Sequence, residues 1–129
     1  MTMRHDDLRT FAIGSGGVEN CRLVKLAALA VVLCTASATD DPVGVCESYG
    51  VEGDDVAVRF LGDDSLEVTA AGAFDAGVDL FAADDGKVQA LPVAAGTYRR
   101  VGKSLEDATA DGDIIEFLPY NDGKTVTVS

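Results

Sequence analysis

The stretch Val43-Gly44-Val45-Cys46-Glu47, followed by Gly53-Asp54-Asp55-Val56-Ala57-Val58-Arg59-Phe60, decides the fold. In its second half Val56, Val58 and Phe60 alternate with Ala57 and Arg59, so one face is apolar at period two. That period, carried by β-branched residues, specifies a half-buried strand. Gly53-Asp54 supplies the turn before it. Glycine takes positive φ without penalty, and aspartate hydrogen-bonds its own backbone. The same design returns as Val101-Gly102-Lys103-Ser104-Leu105 and Gly112-Asp113-Ile114-Ile115-Glu116-Phe117-Leu118. Each copy reads as a strand, a turn and a returning strand.

Working outward, Val18-Glu19-Asn20-Cys21-Arg22-Leu23-Val24 aligns with Phe74-Asp75-Ala76-Gly77-Val78-Asp79-Leu80. Residues of about 18–60 and 74–118 therefore read as two copies of one β module, joined by 61–73. Leu23 to Cys34 is the ambiguous run, because Ala and Leu are also good helix formers. The alignment sets it against Asp79 to about Ala90, which holds the turn Asp84-Asp85-Gly86, so strands are expected there. Leu66–Ala70 and Thr125–Val128 alternate as well. Turn signals recur at roughly ten-residue spacing, the pattern of a small sandwich or barrel. The expected architecture is all-β: a small β-barrel or β-sandwich-like domain over 18–120, built from two similar modules. An extended, flexible N-terminal arm, 1–17, precedes it, with a break at Gly14-Ser15-Gly16-Gly17. Residues 121–129 form a tail or final strand.

A length of 129 residues suits one domain. The 22 acidic residues outnumber the 10 basic ones, for a formal charge of −12. Such a surface repels nucleic acid and anionic membranes, so neither is an expected partner. It also suits a high-salt, halophilic host. Cys21, Cys34 and Cys46 are odd in number and lack a C-x-x-C pair, so they indicate neither a disulfide framework nor a zinc site. They read as small buried apolar residues. Residues 22–38 imitate a signal segment, with Arg22 and Lys25 before an apolar run and small residues at Ala36 and Ala38. Asp6, Asp7 and Glu19 lie upstream, and the run is too short to span a bilayer. A secreted or cell-surface β-rich binding module using that segment is the alternative reading.

Catalysis needs a positioned base, nucleophile or metal. His5 is the sole histidine and falls in the arm, which leaves Ser-His-Asp and Cys-His arrangements without a base. No phosphate-binding glycine motif is present. Asp107, Asp111, Asp113 and Glu116 offer hard oxygens, but their spacing is not that of a calcium loop. They read as turn residues on a solvated face. Lys87, just past Asp84-Asp85-Gly86, invites comparison with biotinyl or lipoyl carriers, although neither Met-Lys-Met nor Asp-Lys-Ala surrounds it. No catalytic residue, cofactor or metal is expected.

Six pieces stand in order within about residues 18–118: Pro42-Val43-Gly44-Val45, Gly53 to Val58, Thr69 to Gly77, Asp85-Gly86-Lys87-Val88, Val101 to Ala108, and Gly112 to Phe117. This succession resembles the capsid decoration, or cement, proteins of tailed viruses. The resemblance implies a compact non-enzymatic β domain, often trimeric, on the outer capsid surface of a virion. Its partner there is the major capsid protein of an HK97-type shell, which it stabilises, and it is made in the host cytoplasm. Under that reading the apolar arm residues Phe11 and Ile13 are candidate contacts with the capsid or a neighbour. Arg99 and Arg100, the one adjacent basic pair, are candidates for ion pairs across such a contact.

Overall fold

A computed structural model describes residues 8–62 and 64–129. Strands β1 (Leu8–Ile13), β2 (Leu23–Ala27), β3 (Ala30–Leu33), β4 (Pro42–Cys46) and β5 (Asp55–Phe60) form a closed barrel in the order β1-β3-β2-β4-β5. Antiparallel pairing of β1 with β5 closes it. Strands β6 (Leu66–Thr69), β7 (Asp79–Ala82), β8 (Val88–Gln89), β9 (Gly96–Ser104) and β10 (Ile114–Pro119) form a second sheet, ordered β6-β10-β9-β7-β8. A parallel bridge between Ala70 and Val88 brings its two ends together. The last strand, β11 (Thr125–Val128), pairs with the start of β9.

The two modules repeat each other bond for bond. Cys21 N–H donates to Cys46 O, as Gly77 N–H does to Ser104 O. Cys46 N–H donates to Arg22 O, as Ser104 N–H does to Val78 O. Val18 and Gly50 exchange two bonds, as Phe74 and Ala108 do. Gly53 N–H reaches Ile13 O, and Gly112 N–H reaches Ala70 O. Gly44 and Gly102 also match. A Cβ on Gly44 would lie 2.3 Å from Arg59 O, and one on Gly102 2.4 Å from Leu118 O. At both places two backbones pass too closely for any side chain.

The run Leu23–Cys34 is two strands joined by a tight turn at Ala28 (φ 58°). At its start, Leu23 and Val24 bury both faces of β2, whereas Leu26 and Ala27 at its end are exposed. Val24 enters a first core with Ile13, Val18, Val31, Cys46, Val56 and Val58. Its neighbour Leu23 points the other way, into a second core with Leu80, Val101, Ile115 and Phe117. Cys34, Val45 and Leu61 of the first module join that second core. Each fully buried Leu or Val contributes roughly 1.5–3 kcal/mol, so these shared residues weld the modules into one unit. The turn Asp84–Gly86 completes the seam. Gly86 N–H donates to Cys34 O, and Arg22 Nη1 donates to Asp85 O at 2.9 Å.

Two expectations about boundaries read differently in the structure. Leu8–Ile13, inside the expected flexible arm, is β1 and lies within the barrel. Within the joining segment 61–73, Leu66–Thr69 is β6, which is the counterpart of β1. Each module therefore begins one strand earlier than the visible sequence echo. The first half of β1 is largely exposed, so cross-strand bonding to β5 holds it in place more than its own hydrophobicity does. Residues 1–7, including His5, lie outside the described residues.

Candidate contact surfaces

The four residues singled out from the sequence are engaged within the chain. Ile13 is only 2% exposed and belongs to the first core. Phe11 packs edge-on against Phe60, with ring centroids 6.1 Å apart, and the Arg9 guanidinium lies 5.0 Å from its centroid. Arg99 is nearly buried, bonded to Asp41 Oδ1 at 2.8 Å and to Asp40 O. Arg100 bonds Asp122 at 2.7 Å, approaches Asp79 at 3.6 Å and lies over the Tyr120 ring. The arm pair is thus part of a barrel, and the arginines anchor loops.

The carboxylates are distributed likewise. Asp40 accepts from Lys25 Nζ at 2.6 Å and from the Thr35 N–H and hydroxyl, each at 2.8 Å. Burial pushes its pKa up, but these bonds outweigh burial and hold the carboxyl below the ordinary aspartate range. Asp113 is held low by the Thr109 N–H and hydroxyl and by the Ala110 N–H, which it caps within its turn. Asp107 accepts from Ala76 N–H, Asp111 from Lys87, and Glu116 from the Ser65 hydroxyl. The four acids named as potential oxygen ligands therefore serve four separate partners. Among the described residues no three His, Cys, Asp or Glu side chains cluster as a metal site would require. All three cysteines are free and buried. Burial, then the Asp40 charge, pushes the Cys34 thiol up to about 12, which keeps it protonated and inert.

Most of the strongly exposed apolar residues lie on loops, with Leu26, Ile114 and Leu118 on strands. Tyr49 (80% exposed) and Val51 (67%) project between β4 and β5, and Ile114 (50%) opens β10. They border two open grooves that share Val18 and Glu19. One, about 510 Å³, is lined by Gly16, Gly17, Leu33, Gly50 and Glu52. The other, about 390 Å³, adds Arg22, Thr69 and Gly112. Gly17 makes this geometry: at φ 74° its absent Cβ would lie 2.8 Å from Gly50 O. Further apolar groups stand out at Leu29 on the β2–β3 turn and at Leu91 and Val93 between β8 and β9. No sequence motif marks these residues; their signal is a large apolar side chain inside a segment otherwise composed as a turn.

The fold is a fused pair of β modules with exposed apolar side chains and open grooves on its surface. The phage cement protein family matches residues 3–118, and the chain belongs to that family. It is accordingly a structural protein of a phage capsid. The fold is similar to that of the head fiber gp8.5 N base of bacteriophage phi29, with a TM-score of 0.70 and 17% identity. That similarity covers 88% of this chain and 95% of the other. No curated protein matches the chain.

Proposed function

We propose that the chain is a non-catalytic cement seated as a homotrimer on the outer face of an HK97-type capsid, where it binds the major capsid protein and stabilises the shell. The observation that carries this reading is the exposed group Tyr49, Val51 and Ile114 on a chain of net charge −12. Aromatic and aliphatic anchors on a rigid frame suit a dry protein contact. The acidic remainder disfavours phosphate backbones. Ile13, Phe11, Arg99 and Arg100 support this role from within, by fixing β1 and the loops at Asp41 and Asp122.

A protein that binds only the assembled lattice stabilises it by RT ln(1 + [L]/Kd) per site, about 2.7 kcal/mol at 100-fold above Kd. A trimer holds several lattice subunits at once, so modest single contacts gain from effective concentration. The rival readings fit less well. Residues 22–38 hold β2 and β3, including the core residues Leu23, Val24, Val31 and Cys34, so cleavage there would remove the centre of the barrel. Lys87 is bonded to Asp111 beside a docked turn, whereas a carrier lysine must project.

The test is to heat particles with and without the purified protein and record the temperature of DNA release. The expected result is a higher release temperature with the protein, lost with a Tyr49→Asp/Ile114→Asp variant that remains folded. Equal release temperatures with and without the protein would overturn the reading.

A further inference from the structure

Off the path of the second sheet, β11 and the start of β9 form a two-stranded ribbon. Thr125 pairs with Arg99, Val126 with Tyr98, Thr127 with Thr97 and Val128 with Gly96. Among the described residues no strand pairs with the outer edge of β11, and β7 pairs with β9 only from Arg100 onward. The ribbon therefore has two free edges. An isolated pair of strands is marginal in water, and free edges invite further pairing.

The register shows which groups those edges present. Arg100 N–H donates to Lys124 O, so Arg100 and Lys124 are a directly bonded pair. Bonded and non-bonded pairs alternate along antiparallel strands. Val126–Tyr98 and Val128–Gly96 are then bonded internally. Thr125, Thr127, Thr97 and Arg99 turn their N–H and C=O groups outward. The 3.0 Å contact between the Thr97 and Thr127 hydroxyls agrees, because side chains lie closer at non-bonded pairs. Tyr98, Val126 and Val128 share one half-exposed face, and the Tyr98 hydroxyl donates to Ala94 O in the loop that bears Val93.

Charge points to the occupant. The chain carries 22 acidic residues, yet none falls within 87–105 or 123–129. Two copies of so acidic a chain repel over most of their surfaces and least at this ribbon. Its β11 strand lies beyond the family match, which ends at residue 118.

We propose that a second copy of this chain adds edge-to-edge here, the free edge of β11 pairing antiparallel with the Gly96–Arg99 edge of its neighbour. Head-to-tail addition uses both edges of every ribbon, and a closed ring leaves none unpaired. The Tyr98, Val126 and Val128 face is buried in the ring. This assignment rests on the homotrimer in the proposed function, in which three ribbons make a six-stranded ring.

The deciding variant is Thr127→Pro. It removes an outward N–H while keeping the internal bonds of Val126 and Val128, and proline is tolerated at such an edge position. A chain ending at Lys124 is the second variant, and circular dichroism with thermal melting establishes that each is folded. Light scattering coupled to gel filtration reads the mass. The expected result is a trimer for the natural chain and a monomer for both folded variants. Trimers from the folded variants would overturn the ribbon contact and leave the homotrimer standing. A natural chain that is monomeric in solution and also bound singly on particles would overturn both.

Discussion

The two modules share a backbone plan and differ in what fills it. The first closes through two consecutive β1–β3 pairs, the second through the single bridge of Ala70 with Val88. At Cys21 (φ 58°) the first accepts a left-handed residue where the second has Gly77 (φ 87°). The Cys46 thiol donates to Glu19 O where the Ser104 hydroxyl donates to Asp75 O. Val58 fills the first core where Phe117 fills the second. The turns after β2 and β7 both pass through a left-handed residue, Ala28 and Asp85. Yet the second turn is docked on β2 and the first is open, with Leu29 92% exposed. Backbone hydrogen bonds and close backbone approaches are what the copies hold in common. Side chains diverge wherever volume or donor capacity is otherwise supplied.

That comparison can be broken most strongly at the cores. Phe117→Ala is expected to cost about 4 kcal/mol and Val58→Ala about 2 kcal/mol, measured by urea unfolding, because the larger ring at the equivalent position of the second core leaves the larger cavity. Equal losses would mean that the second core collapses around the missing ring. Next come the turns. Gly86→Ala places a Cβ 2.6 Å from Leu23 O at φ 69°, and a loss of roughly 2–3 kcal/mol is expected. Leu29→Asp at the open turn should leave the unfolding midpoint within about 0.5 kcal/mol of the natural chain.

Smaller effects sharpen the picture. Ser104→Ala leaves Asp75 O without its donor and should cost about 1–2 kcal/mol. Cys46→Ser keeps a donor toward Glu19 O and should cost less than Cys46→Ala. The Asp40 pair is present only in the first module. Its folded pKa lies below the unfolded value of 3.8, so its contribution is fully present above that value and is lost as pH falls through the depressed folded pKa. Thermal melts between pH 7 and pH 2 should show Asp40→Asn less stable at neutral pH, with the gap narrowing at the acid end. Smallest of all, Ala28→Gly should gain about 0.5 kcal/mol by relieving a left-handed alanine.

Much of this plan was legible in the chain. The strand–turn–strand echo located β4, β5, β9 and β10, and its alignment of Leu23–Cys34 with a turn-bearing partner revealed two strands in a run that hydropathy leaves ambiguous. The contact surface was less legible. Phe11 and Ile13 looked like arm anchors because the glycine cluster 14–17 resembles a linker. In the fold that cluster is a turn: Gly17 passes against Gly50. Arg99 and Arg100 looked available because the carboxylates that hold them, Asp41, Asp79 and Asp122, are distant in sequence or in another turn.

The amino-acid order alone determined that the chain is all-β, duplicated and acidic, since alternation, glycine turns and charge count are local properties. Tertiary structure decided that β1 and β6 open the modules, that Leu23 and Val45 serve the second core, and which apolar residues face water. Those outcomes depend on long-range backbone pairing, which assigns opposite faces of one strand to different cores and leaves no periodic mark when both faces are buried.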